Sequence, residues 1–230
     1  MKKLGLIGGI GPESTILYYQ KLVYGLQSKI GHKFFPNIII ESLNVFEVLD
    51  LCENKEYEKL IQYLMEGINN LIAGGAEVIA LTGVTPHIVF EQLQLATAVP
   101  LISIVESTSI EAERRNYSKI GLLGTKFTVK SEFFKTSFLN KNIQVLVPNE
   151  NEQCFVGEKI SNELEQGVVL EKTQEEFLHI IQRMHEEEEI QAIVLGCTEL
   201  PLLFRNIRLP IPVLDALDLH IQLLIDIVSE

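Results

Sequence analysis

Short apolar runs alternate along this chain with longer segments whose apolar positions recur at helical spacing. The short runs are Lys3–Gly8, Asn37–Ser42, Val78–Thr82, Leu101–Ile104, Lys119–Gly124, Gln144–Val147, Ala192–Leu195 and Val213–Leu214. Their near-continuous Ile, Val and Leu content predicts strands covered on both faces, as in a parallel sheet. The longer segments predict helices. Ser14 to Ser28 sets Ile16, Tyr19, Leu22, Val23 and Leu26 on one side, and Glu56 to Ala73 and Thr173 to Glu186 show similar spacing. Gly74-Gly75 is a C-terminal stop for the second of these. Asp215 to Glu230 reads as a closing helix. The alternation predicts an α/β fold.

The pattern is written twice. Leu4-Gly5-Leu6-Ile7-Gly8 returns as Ile120-Gly121-Leu122-Leu123-Gly124, Ile79 to Gly83 as Ile193 to Cys197, and Val99 to Ile102 as Ile211 to Leu214. Each pair is separated by about 115 residues, which marks duplicated supersecondary units. Two half-domains facing each other across a cleft are expected. Their expected limits are residues 1–98 plus 208–230 for the first, discontinuous half and 99–207 for the second. Gly83 and Cys197 occupy equivalent positions in the two copies.

Composition narrows the function classes. The chain has 230 residues, 47% of them hydrophobic, enough for a substantial core. A net charge of −12 argues against a nucleic-acid surface, which needs clustered Lys and Arg. The run Glu186 to Glu189 reads as a solvated helix end. The N-terminal apolar stretch breaks at Gly8-Gly9, too short for a signal segment, and no run reaches the ~20 apolar residues that span a bilayer. Three Cys (52, 154 and 197) suggest no disulfide framework, and the five His show no ligand spacing. A soluble cytoplasmic protein without a metal, a membrane partner or a nucleic-acid partner is expected.

Chemistry in open parallel sheets gathers at the carboxyl ends of strands. Four such ends stand out. Gly8-Gly9-Ile10-Gly11-Pro12-Glu13-Ser14-Thr15 is a glycine turn into a helix, where Gly9, Gly11 and Ser14 are suited to line a pocket or hold an anion. The alternatives are a plain structural turn or a dinucleotide fingerprint, although the third glycine is Ser14 and Glu41 lies too far on for the ribose acid. Thr82-Gly83-Val84-Thr85-Pro86-His87 ends a strand in small residues. Thr85 is suited to capping or to a ligand carboxylate, and His87 reads as buried support or as a proton donor. Gly124-Thr125-Lys126-Phe127-Thr128 offers two hydroxyls at a helix start, for a carboxylate or for ordinary N-capping. Gly196-Cys197-Thr198-Glu199 places a Cys just past a buried strand. There a helix field is expected to lower the thiol pKa and favour the thiolate. The alternative is a small buried hydrophobe, the reading given to Cys52 and Cys154.

These motifs together resemble the Asp/Glu/hydantoin racemase superfamily, most closely the aspartate/glutamate racemases. The resemblance runs through both halves in order. It implies two pseudo-symmetric α/β domains, each a mainly parallel four-stranded sheet flanked by helices, with the active site in the cleft between them, no pyridoxal phosphate, metal or nucleotide cofactor, an amino acid or related carboxylate as substrate, and a homodimer. It also implies proton transfer at an α-carbon, with one base from each half and a pocket that stabilises the carbanion through hydrogen bonds. Carried onto this chain, Cys197 is one base, and Thr85, Thr125, Thr128 and Thr198 hold substrate carboxylate or amino groups.

Two departures accompany the resemblance. The family pattern at the opposing base is Cys-Asn-Thr or Thr-Asn-Thr, whereas this chain has Gly83-Val84-Thr85. Gly83 carries no proton and Val84 lacks the amide that would contact substrate. Thr82, His87 and Glu199 remain as possible second bases or supporting groups. Aspartate-specific members also place basic residues where this chain reads Asn44-Val45-Phe46-Glu47 and Glu163-Leu164-Glu165-Gln166-Gly167. Glu47 and Glu165 either face solvent or steer substrate choice against acids. Three functions follow: an isomerase working from Cys197, a single-Cys decarboxylase of malonate-like acids, which needs one protonation only, and a non-catalytic amino-acid or carboxylate binder.

Overall fold

The computed structural model describes residues 1–205 and 207–230. The chain forms two units, Met1–Ile104 with His220–Glu230, and Val105–Leu219. In the first, β1 (Leu4–Gly8), α1 (Pro12–Ile30), β2 (Ile38–Ser42), α2 (Val45–Glu53), α3 (Tyr57–Ala73), β3 (Val78–Leu81), a 3-10 turn (Thr85–Val89), α4 (Phe90–Ala96) and β4 (Leu101–Ile102) follow one another. Next come α5 (Ile104–Arg114), β5 (Lys119–Leu123), α6 (Lys126–Lys130), α7 (Glu132–Leu139), β6 (Gln144–Leu146) and α8 (Glu150–Asn162). A second 3-10 turn (Leu164–Gln166), α9 (Glu171–Glu188), β7 (Ala192–Leu195), α10 (Leu200–Leu203), β8 (Val213–Asp215) and α11 (Ala216–Ser229) complete the chain.

The two sheets have the same strand order, β2-β1-β3-β4 and β6-β5-β7-β8, and every pairing is parallel. The sequence repeat is therefore a repeat of topology. The central strands β1, β3 and β7 are buried throughout, and β5 is buried beyond its first residue. Each fully buried Leu or Ile contributes roughly 1.5–3 kcal/mol. The edge strands β2 and β6 are only partly covered, contrary to the expectation of strands shielded on both faces. They lack a neighbour on one side, so flanking helices reach them incompletely.

The unit limits also differ from those expected. β4 pairs with β3, which keeps residues 99–104 with the first sheet, and β8 pairs with β7, which keeps 208–219 with the second. On α1 the buried stripe is Ser14, Tyr18, Leu22, Val23 and Leu26, while Ile16 and Tyr19 are exposed. The stripe follows i, i+4 spacing from Ser14. It is fixed by Tyr18, whose hydroxyl is bonded inside the unit to His220 at 2.6 Å. Gly75 ends α3 with φ 87°, the left-handed stop expected of the glycine pair. The acidic run closes α9, where Glu189 takes the left-handed cap position. Among the described residues no helix is long and apolar enough to cross a membrane.

Two buried histidines pin the first unit together. His87 Nδ1–H donates to the Gly83 carbonyl at 3.0 Å, and its Nε2 accepts from the Ile104 N–H at 3.3 Å. His220 Nδ1 accepts from the Tyr18 hydroxyl, and its Nε2–H donates to the Ile102 carbonyl at 2.9 Å. Both rings are therefore neutral, with tautomers set by their partners. Burial pushes His87 down to about 4, and burial together with His87 pushes His220 down to about 3. Because the folded pKa values lie below the unfolded one, this stabilisation is complete above pH 6.5 and is lost as pH falls toward 4 and 3. The urea midpoint is expected to fall between pH 7 and 5, above the range in which most carboxylates titrate. A His220→Asn variant should be less stable at pH 7 and show a flatter pH dependence. Equal slopes for parent and variant would refute the assignment.

Candidate active site

In the first unit the strand ends turn their polar groups inward. After β1 the chain bends through Gly9 at φ 76° and Gly11 at φ 85°. A Cβ on Gly9 would lie 2.1 Å from the Leu43 carbonyl oxygen, so only glycine fits this close approach. Pro12 then starts α1, with Gly11 at the cap and no side-chain capping bond. Ser14, expected to face a ligand or cap the helix, is instead fully buried and donates to the Gly11 carbonyl at 3.0 Å. Thr15 donates to the same carbonyl and accepts from the Gly9 N–H at 3.0 Å. The turn is consolidated by its own hydroxyls.

The end of β3 is equally closed. Thr82 is fully buried, donates to the Ile7 carbonyl at 3.1 Å and shares a hydrogen bond with Thr15 at 3.3 Å. His87 has both ring nitrogens occupied. Neither residue has the free, accessible group that a second base needs. At Gly83 a Cβ would meet Ile10 Cγ2 at 2.7 Å, the Ile10 carbonyl oxygen at 3.1 Å and Ile10 Cβ at 3.2 Å. The space in which a side chain would begin is filled by Ile10. Val84 is buried, and Thr85 is half-buried at the start of the 3-10 turn. The Thr85 hydroxyl makes no hydrogen bond among the described residues.

The second unit differs at the equivalent place. The ladder continues one residue past the strand in both units, through Thr82 N–H to Ile7 and Gly196 N–H to Leu123. The next residues are Gly83 and Cys197. Cys197 is buried, and its thiol donates to Glu199 Oε2 at 2.9 Å. Thr198 donates to the same oxygen at 2.9 Å. One carboxylate oxygen thus gathers two donors, in a setting where Cys197, Thr198 and Glu199 are all at least nine-tenths buried.

The expected thiolate is not what this environment favours. Burial, then the Glu199 carboxylate, pushes the Cys197 thiol well above its ordinary value. The helix that follows directly is the four-residue α10, which begins at Leu200, so its field is weak beside the Glu199 carboxylate. Glu199 sits two residues past the Cys, and sequence proximity alone had not shown that its carboxylate folds back onto the sulfur.

Beside this dyad, Thr125 caps α6 by accepting from the Thr128 N–H at 3.3 Å, and the two hydroxyls are 3.1 Å apart. Of the two readings for this pair, capping is the one built into the fold. Cys52 is buried, and burial with the nearby Glu53 pushes its thiol up to about 11. Cys154 is an exposed free thiol on α8. Glu47 is exposed on α2. Among the described residues no three His, Cys, Asp or Glu side chains are grouped to hold a metal ion.

The paired parallel sheets that carry this strand-end cluster are found, at the level of whole chains, in known proteins. The broad specificity amino-acid racemase RacX of Bacillus subtilis (strain 168) is 27% identical over 220 residues, spanning 93% of this chain and 92% of its own length. Among solved structures, an aspartate racemase homologue from Pyrococcus horikoshii OT3 is 36% identical, with a TM-score of 0.85 and full coverage of both chains. A candidate Asp/Glu racemase from Yersinia pestis is 30% identical, with a TM-score of 0.93 and full coverage of both. The family model described as Asp/Glu/Hydantoin racemase matches residues 7–224, and the chain belongs to that family.

Proposed function

We propose that this protein is an amino-acid racemase-family enzyme that moves a proton at a substrate α-carbon with Cys197, without a second proton-transfer side chain at the Gly83 strand end. The observation that carries this reading is the buried Cys197 thiol donating to Glu199 at 2.9 Å. A thiol held protonated is an acid at neutral pH. It can deliver its proton to a carbanion directly. In the opposite direction Glu199 accepts the thiol proton, and the sulfur then takes the α-proton. Thr198 donates to Glu199 and fixes the acceptor oxygen. Thr85, Thr125 and Thr128 are the hydroxyls offered for the substrate carboxylate and amino groups.

The first test is exchange of the α-hydrogen of a panel of amino acids with solvent deuterium, followed by NMR. Cys197→Ala should lower exchange by about 10²-fold or more, the range of a lost acid–base group. Exchange as fast as in the parent would remove Cys197 from the chemistry.

The raised thiol pKa gives a second outcome. Alkylation of Cys197 by iodoacetamide, read by peptide mass spectrometry, should stay slow through pH 8 and rise only above the ordinary thiol range, with exposed Cys154 as internal reference. Glu199→Gln removes the main neighbouring charge and should move the Cys197 profile to lower pH. An unmoved profile would contradict the dyad.

The packing at Gly83 gives a third. Gly83→Cys alone drives Cβ into Ile10 and should destabilise by about 1–3 kcal/mol, the usual cost of overpacking. Combined with Ile10→Ala, which removes the nearest atom, the same substitution should regain stability and exceed the parent in exchange. A single variant with the parent's melting temperature would defeat the packing argument.

A further inference from the structure

The segment that carries Cys197 and Glu199 has little structure of its own. Successive i→i+3 bonds run through it, from the Leu200 N–H to Cys197 at 3.2 Å, from Leu202 to Glu199 at 3.0 Å and from Phe204 to Pro201 at 3.3 Å. Its helical part, α10, has four residues, and Pro201 among them has no N–H to donate. So short a helix does not hold itself together in water. The place of the Glu199 carboxylate therefore depends on what the segment is fastened to.

Two kinds of contact fasten it. Leu200, Leu203 and Phe204 are buried in the apolar cluster that includes Phe177 of α9, and Phe204 meets the Phe177 ring edge-on at 6.3 Å. Apolar burial holds the segment down but has no direction. The directional tie is polar. Gln174, half-buried on the first turn of α9, donates from Nε2 to the Leu203 carbonyl at 2.5 Å. That carbonyl belongs to the last turn of α10, where helix acceptors lack partners within the helix. α9 is a firm anchor because its own start is secured. It has no side-chain cap. Instead the neighbouring Thr173 is buried and donates to Glu163 at 2.6 Å, and Glu163 accepts from Lys159 of α8 at 2.7 Å. Adjacent residues thus join the first turn of an 18-residue helix to the end of α8 and to the Cys197 segment.

We propose that Gln174 is a positioning residue of the Cys197 site, its amide holding the Leu203 carbonyl so that Glu199 stays turned onto the sulfur. It acts through Glu199. Without the tie the segment turns about its Leu contacts and the carboxylate leaves the thiol. The sulfur then loses its proton acceptor and the neighbouring charge that keeps it protonated. The catalytic consequence rests on the racemase-family reading above, and the experiment separates the two.

The test reads the sulfur directly. Gln174→Met removes the donor and keeps the length of the side chain. Alkylation of Cys197 by iodoacetamide at pH 8 should rise about fivefold in this variant, the equivalent of one neutral hydrogen bond, with its profile moved to lower pH. For the amino acid that the parent exchanges fastest with deuterium, kcat should fall by about the same factor while KM stays near the parent's. Gln182→Met makes the same change further along α9, at an amide that donates to Glu186 of the same helix, and should leave both readouts unmoved. An unmoved Cys197 profile in Gln174→Met overturns the assignment. So does an equal movement in Gln182→Met, which marks a general loosening of α9. Exchange that persists in Cys197→Ala overturns the Cys197 chemistry instead, and the alkylation profiles still decide the role of Gln174.

Discussion

In each sheet the two central strands run side by side in the same direction, Leu4–Ile7 against Val78–Leu81 and Ile120–Leu123 against Ala192–Leu195. A parallel pair cannot be closed by a tight turn, so the chain must cross over through helices, which shield the faces of the central strands. That shielding demands the continuous Ile, Val and Leu runs. It also forces both central strands of a sheet to finish at the same edge. There the backbone leaves the ladder and must find new partners. In the first sheet Gly9 and Thr82, and in the second Gly124, Gly196 and Cys197, lie within a few residues of that edge. Their neighbourhood follows from the strand direction.

The two units resolve the same constraint differently. In the first, Ser14, Thr15, Thr82 and His87 spend their hydrogen bonds on nearby carbonyls, N–H groups and each other. These polar groups are satisfied from within the unit. In the second, the hydrogen bonds converge on a carboxylate, and one of the donors is a thiol. Burying a carboxylate is costly unless donors compensate it, and here the Cys197 thiol is one of the compensating donors.

Much of this was legible in the chain. The eight strands, the parallel arrangement and the twofold repeat all follow from periodicity, because strands buried on both faces leave a strong apolar signature. The Gly83 and Cys197 equivalence was legible for the same reason. Features that depend on where a side chain folds back were not. Nothing in Gly196-Cys197-Thr198-Glu199 says that the Glu carboxylate turns onto the sulfur, and the ordinary helix-field argument gives the opposite sign for the thiol. His220 was silent too, since its partners Tyr18 and Ile102 lie far away in sequence. The exposed Ile16 and Tyr19 show a further limit: a helical repeat gives the spacing of a stripe and leaves its rotation to the strand it meets.

The contact between Ile10 and Gly83 bears on how such a chain changes over generations. Ile10 occupies the space beside Gly83, so the residue at 83 and the size of residue 10 are coupled. Putting a side chain back at position 83 first meets a crowded backbone and brings no benefit by itself. Shrinking Ile10 first opens a void and brings none either. The two positions are then inherited as a pair, and the route back runs through a less stable intermediate. Changes at positions 10 and 83 are therefore tolerated together more readily than singly.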